Sequence, residues 1–213
     1  MREAATGPTL QRPHVWLPGT GGPPLLFLHG TGGDEHDMLP LRGHLAPDAP
    51  VLSPRGTVLE NGMPRFFRRL REGVFDEDDL RERTDELAEF LTAAGTEHGV
   101  APGSWVAVGF SNGANIASAL LFRRPEALAG AVLLAAMVPF GDVPGLDVNL
   151  TGKRVAVVNG RRDPMATAAQ TRTLVAQLRD RGAAVVEFPH DGGHWIDVAV
   201  LPRIREFLAA GPA

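Results

Sequence analysis

Between Val106 and Ala117 the chain reads VAVGFSNGANIA, an apolar run that stops at Gly109-Phe110-Ser111-Asn112-Gly113 and resumes as small, helix-compatible residues. A strand that must become a helix within five residues has to turn sharply. Glycine two positions either side of Ser111 suits that turn, because a Cβ there would meet the neighbouring strand or helix. The helix that follows aims its first N–H groups back at the turn, where they stabilise negative charge. In this setting G-x-S-x-G predicts an exposed, reactive serine at Ser111.

The rest of the chain supplies strands and helices in alternation. Short apolar runs at Leu25–Leu28, Val51–Ser53, Trp105–Phe110, Gly130–Met137, Arg154–Asn159 and Ala184–Phe188 read as buried strands, with His14–Leu17 as a short edge strand. Helices are expected over Glu35–Leu45 with Asp34 as N-cap, Asp76–His98, Asn112–Arg123, Thr167–Arg181 closed by Gly182, and Ile196–Ala209. The pattern predicts an α/β fold with a mostly parallel twisted sheet and helices on both faces. Residues 1–12 are polar and read as a disordered tail, leaving 13–213 as one domain. Pro54–Phe75 has no regular pattern, and a loop of that length inside a compact domain is usually functional.

Composition removes several chemistries. There is no cysteine, so disulfides, thiolate metal sites and cysteine nucleophiles are excluded. A net charge of −4, with no long basic stretch, argues against nucleic acid as a partner. The first sixteen residues lack the apolar core of a signal peptide, and the longest apolar run, Leu128–Val138, is too short to span a bilayer. A cytoplasmic enzyme is the expectation. The pairs His190/His194 and His29/His36 lack helical i, i+4 spacing and a third ligand, so no metal is expected.

A serine hydroxyl needs a base, and the base needs an orienting acid. On an alternating α/β scaffold these come from loops after later strands, in the order Ser, Asp/Glu, His. Asp163 follows the RVAVVN strand and His194 follows AVVEF, each after a short loop. His190 sits closer to its strand, which leaves little loop to carry it to Ser111. Asp142 and Asp147 follow the preceding strand and also read as turn residues; Asp163 is preferred because Pro164 stops the strand and fixes the loop. Two N–H donors for an oxyanion are expected at Asn112 and, from the Gly-rich loop His29–Gly33, at Thr31. His29 is expected to shape that loop by hydrogen bonding and to transfer no proton.

Taken together, Leu28–Glu35 (LHGTGGDE), the GFSNGAN turn, Asp163-Pro164 and Gly192-Gly193-His194 resemble the α/β-hydrolase fold without a large cap domain, and more narrowly the phospholipase/carboxylesterase family, which includes bacterial carboxylesterases and acyl-protein thioesterases. Ser53-Pro54-Arg55-Gly56, the run Glu60–Arg69 and Met137-Val138-Pro139 look like a bacterial subgroup that includes hydrolases induced by quinones, hydroquinones or copper stress. The similarity runs from about His14 to Leu208. It implies a cofactor-free serine hydrolase with nucleophile Ser111, acid Asp163, base His194 and oxyanion donors Thr31 and Asn112. Trp195 departs from the family, which often has a polar residue after the histidine.

The reaction expected is hydrolysis of a small carboxylic ester through an acyl-enzyme. Thioesterase or lysophospholipase activity is the neighbouring alternative, and a non-catalytic binding protein for a quinone-like or organic-acid ligand is the alternative of another class. Phe66, Phe67, Phe75, Met137, Phe140, Met165 and Trp195 are candidate walls of the substrate pocket, or ordinary core. Arg65, Arg68, Arg69 and Arg71 either meet an anionic substrate group or, the preferred reading, are solvated or paired with Asp76–Asp79. A small-molecule ester is the expected partner; a homodimer is compatible with the sequence, which does not decide the oligomeric state.

Overall fold

Four residues, Leu25–Leu28 (β2), form a strand with no exposed side chain; Leu26 and Leu28 pack to one face of the sheet, Leu25 and Phe27 to the other. A strand buried on both faces needs helices on both, and the fold supplies them. The computed structural model describes residues 12–141 and 147–211. Its remaining strands are His14–Leu17 (β1), Val51–Pro54 (β3), Val58–Glu60 (β4), Met63–Arg65 (β5), Arg69–Arg71 (β6), Val74–Phe75 (β7), Trp105–Phe110 (β8), Leu128–Leu134 (β9), Arg154–Val158 (β10) and Ala184–Glu187 (β11). Six of these join β2 in the seven-stranded central sheet, in the order β1-β3-β2-β8-β9-β10-β11, parallel throughout except for β1 on β3.

Helices Glu77–His98 (α2), Asn112–Arg123 (α3) and Ala168–Asp180 (α4) cover one face of the sheet, while Leu41–Leu45 (α1) and Leu201–Ala209 (α5) cover the other. In α2, Leu80, Leu87, Phe90 and Leu91 are all buried as their spacing predicts. Asp76 caps α2 by accepting from the Asp79 N–H, and Gly99 ends it at φ 69°. The Arg123 guanidinium grips Asp85 with bonds of 2.9 and 2.6 Å, tying α3 to α2.

The strand order has a consequence for function. After β2 the chain moves to one side, to β3; after β8 it moves to the other, to β9. Loops leaving β2 and β8 therefore part at a crevice above the carboxyl ends of the strands, where open α/β sheets hold their ligands. Among the described residues no helix is long and apolar enough to cross a membrane.

Several boundaries differ from the sequence reading. The helix expected over Glu35–Leu45 forms only at Leu41–Leu45, after successive turns. Pro40 disfavours helical dihedrals at the residue before it and donates no N–H. The final helix begins as a 3-10 turn, Val198–Val200, and becomes α-helical at Leu201. Pro54–Phe75 is not a plain loop: β4 pairs with β5 and β6 with β7 as two small antiparallel hairpins. Asn61-Gly62 closes the first with both residues at positive φ, 51° and 80°, as a two-residue hairpin turn requires. Of the tail expected over residues 1–12, residues 1–11 lie outside the described residues, and Arg12 is packed with its guanidinium 5.2 Å from the Phe90 ring centroid.

Candidate active site

Ser111 sits between β8 and α3 at φ 51°, ψ −112°, a strained conformation for a residue with a side chain. The neighbouring glycines are confined as closely. A Cβ on Gly113 would stand 2.0 Å from the Leu28 carbonyl oxygen, and one on Gly109 would stand 2.5 Å from the Gly113 oxygen. The Ser111 N–H donates to Leu134 O at 2.8 Å, anchoring the turn to β9.

Loops after β10 and β11 converge on the serine. They are laced together by Arg161 N–H to His190 O (2.8 Å) and Arg162 N–H to Gly192 O (2.9 Å). Asp163 is buried; its Oδ1 accepts from the Met165 and Ala166 N–H groups at 2.8 and 2.9 Å. Its Oδ2 lies 2.7 Å from His194 Nδ1, and His194 Nε2 lies 2.8 Å from Ser111 Oγ. A carboxylate at Nδ1 places the proton there, leaving Nε2 as the acceptor that faces the serine hydroxyl. Phe110 packs beside the imidazole with ring centroids 5.5 Å apart.

The competing residues go elsewhere. His190 is buried, its Nδ1 accepts from the Gly192 N–H at 3.2 Å, and Asp197 lies 3.6 Å away. Asp147 is exposed, and Asp142 lies outside the described residues. His29 Nδ1 donates to Gly30 O at 2.7 Å while Nε2 accepts from the Gly56 N–H at 2.9 Å, so it pins the Gly-rich loop to the chain after β3. Burial holds its pKa below the ordinary histidine value, consistent with a neutral ring that must both donate and accept. Arg55 reinforces the same junction through a two-pronged bond to Glu35, 2.8 and 2.5 Å. Among the described residues no group of three His, Asp or Glu side chains is placed to hold a metal ion.

Thr31, Ser111, Asn112 and His194 line one cavity of about 340 Å³. Asn112 is the first residue of α3, so its N–H has no partner within the helix. Two larger hollows, about 450 and 410 Å³, open at the opposite, amino ends of β8 and β9, around Trp105 and Val106, away from these residues.

Of the seven expected pocket walls, Phe75, Met137 and Met165 line the cavity. Phe66 and Phe67 instead turn into the core, 1% and 0% exposed, the first against the His29 ring and the second edge-on to Phe75. Phe140 is likewise core, under the Arg81 guanidinium. Trp195, the last of the candidate walls, is more than half exposed and stands beside His190.

The arginine run divides. Arg68 pairs with Asp76 and Asp79, as preferred from sequence, and Arg71 is exposed. Arg65 is neither solvated nor paired with that acidic run. It is buried in the cavity wall, donating from Nη1 to Thr31 Oγ1 at 2.6 Å and from Nε to Phe67 O at 3.1 Å. Burial, and next the charge of Arg69, hold its pKa below the ordinary arginine value against the opposing pull of Glu60. Arg69 also reaches the cavity.

Asn115 was missed in the sequence although it lies one helical turn beyond Ser111, on the same face. It lines the cavity, and its Oδ1 accepts from the Met137 N–H at 2.8 Å. Asn159 and Gln170 hold the adjoining Ala136 and Val138 N–H groups, both at 2.9 Å. Side chains from α3, α4 and the residue after β10 thus hold the segment after β9.

No protein-family model matches the chain. Individual proteins do. MhqD of Bacillus subtilis strain 168, named as a hydrolase, is 46% identical over 195 residues, 91% of this chain and 96% of that protein. The crystal structure of a Bacillus cereus carboxylesterase superposes with a TM-score of 0.90 at 45% identity, covering 94% of each chain. A carboxylesterase from Mesorhizobium loti gives 0.83 at 29% identity over 90% of each.

Proposed function

Since the chain belongs to the phospholipase/carboxylesterase family of α/β hydrolases, we propose that it hydrolyses small carboxylic esters through an acyl-enzyme on Ser111. The observation that carries this is the continuous hydrogen-bonded line from Ser111 Oγ through the His194 ring to Asp163. His194 Nε2 removes the hydroxyl proton as Oγ attacks the ester carbonyl carbon. The tetrahedral oxygen takes up its negative charge between the Thr31 and Asn112 N–H groups. The protonated His194 then passes its proton to the departing alcohol, leaving Ser111 acylated. A water deprotonated by the same nitrogen attacks the acyl carbon, and the carboxylic acid leaves as the serine recovers its proton. Asp163 keeps its charge throughout and stabilises the imidazolium.

A cavity of about 340 Å³ suits short acyl groups, being near the lower end for small-molecule sites, roughly 300–1,000 Å³. A purely binding role would leave the strained Ser111 backbone and its bond to His194 without a use. Steady-state hydrolysis of p-nitrophenyl acetate tests the proposal: turnover is expected, with its loss in a folded Ser111→Ala protein. Undiminished turnover in that variant refutes it.

A further inference from the structure

We infer that the cavity beside Ser111 binds a free carboxylate, so that the preferred ester carries a second, ionised carboxyl group away from its scissile bond. The inference rests on the ester-hydrolase reading and names its substrate class. The ligand group is set by Arg65 and Arg69, which face the same cavity as Ser111 and His194. Both arginines depend on one anion. Glu60 Oε1 accepts from Arg69 Nε at 2.9 Å, and its Oε2 lies 3.3 Å from Arg65 Nη1. Two guanidinium charges against the one Glu60 carboxylate leave one positive charge unpaired beside the site, faced across the cavity lining only by the exposed Glu72.

The hydrogen-bond pattern is also incomplete. Arg65 uses Nε on Phe67 O and Nη1 on Thr31 Oγ1; Arg69 uses only Nε. Among the described residues, Nη2 of Arg65 and both terminal nitrogens of Arg69 have no hydrogen-bond partner. Guanidinium N–H groups in a fixed plane are matched by a carboxylate, which accepts two of them at once. Glu72 is the acid that lines the cavity itself; it is exposed and makes no ion pair with either arginine, so water screens it more than it screens the buried Arg65. Arg65 is held in place by groups of the site itself, including Thr31, and the orientation of the anion-binding fork is therefore fixed before substrate arrives.

Two pairs of esters, each with and without a carboxylate, test this with the full chain. Monomethyl glutarate against methyl pentanoate puts the charge on the acyl side; 4-acetoxybenzoate against 4-methylphenyl acetate puts it on the leaving group. In at least one pair the anionic member is expected to have a kcat/KM about tenfold or more above its neutral partner. Arg69→Gln should reduce that ratio by a similar roughly tenfold factor, with Arg69→Lys recovering part of it. Arg69 is half-buried on a small hairpin, so its replacement leaves the core intact. Calorimetric titration of Ser111→Ala with monomethyl glutarate separates binding from chemistry. Arg69-dependent binding there supports the carboxylate site even if the wild type hydrolyses nothing, an outcome that would instead end the hydrolase reading. Ratios near one in both pairs, or a ratio unmoved by Arg69→Gln, overturn the inference while leaving ester hydrolysis standing.

Discussion

Two walls of the cavity are built by different physics. On one side, the turn between β8 and α3 is fixed by backbone against backbone: Gly113 lies under the Leu28 carbonyl, and the Ser111 N–H is bonded to β9. On the other, the two hairpins of residues 58–75 share one backbone bond with the Gly-rich loop, Gly32 N–H on Pro64 O at 2.9 Å, and rely besides on side chains: Arg65 on Thr31, Phe66 N–H on Asn112 Oδ1 at 2.7 Å, and Glu60 between two arginines. A backbone-locked wall tolerates almost no change and so suits a nucleophile that must be aimed. Side-chain ion pairs can be altered without rebuilding the fold, which suits the wall that meets the variable part of a substrate. On the proposed function this is a division of labour: the turn aims the nucleophile, while the hairpin segment braces Thr31 and Asn112 and presents the arginines that would choose the ester.

That division can be broken in graded steps. The largest effect is expected from Asp163→Asn, which keeps an acceptor for the Met165 and Ala166 N–H groups but turns an amide toward His194 Nδ1. The wrong tautomer should lower kcat by about 10³–10⁴-fold, with thermal unfolding little changed; a loss below tenfold would mean that Asp163 does not orient the base. Gly113→Ala comes next, because its Cβ would overlap the Leu28 oxygen. A cost of about 3 kcal/mol or more is expected, seen as a melting temperature lower by roughly 6–12 °C. Gly43, inside α1 with open space around it, is the control: Gly43→Ala should leave stability unchanged or raise it by about 0.5–1 kcal/mol.

The hairpin wall should respond more mildly. Asn61→Ala places an alanine at φ 51° in the β4–β5 turn, and a destabilisation of about 1 kcal/mol in a urea titration is expected. The smallest effect is a pH dependence through His29. Its folded pKa lies below its ordinary value, so the unfolded chain binds the proton first. The stability that the neutral ring contributes is therefore complete above about pH 6.5 and declines as pH falls from there toward the folded pKa. Protonation would also remove the acceptor that Gly56 N–H needs. Denaturant unfolding at a series of pH values checks this: His29→Gln should flatten the slope below pH 6.5, and an unchanged slope would assign it to another group.

Most of the reaction wall was legible in the sequence because it is written in backbone constraints. Gly109 and Gly113 mark where side chains cannot fit, and Asp163 and His194 follow from the order of the strands together with the Pro164 turn and the length of the loop before His194. The hairpin wall was not legible for a reason of range. Arg65 is buried by contacts with Thr31, 34 residues earlier, and with Glu60 across a hairpin; no local pattern distinguishes such an arginine from a solvated one. Once Arg65 occupies the cavity wall, Phe66 and Phe67 fall into the core instead of lining the pocket. One local signal was available: Asn61-Gly62 is a two-residue hairpin turn, and it marks residues 58–65 as paired strands.

Mass spectrometry of the protein treated with a fluorophosphonate, as wild type and as His194→Ala, tests most directly whether Ser111 is the activated nucleophile. A single covalent adduct on Ser111 is expected, formed at least about 10³-fold more slowly when His194 is replaced. A folded wild-type protein with Ser111 unmodified, or equal labelling rates with and without His194, would contradict it.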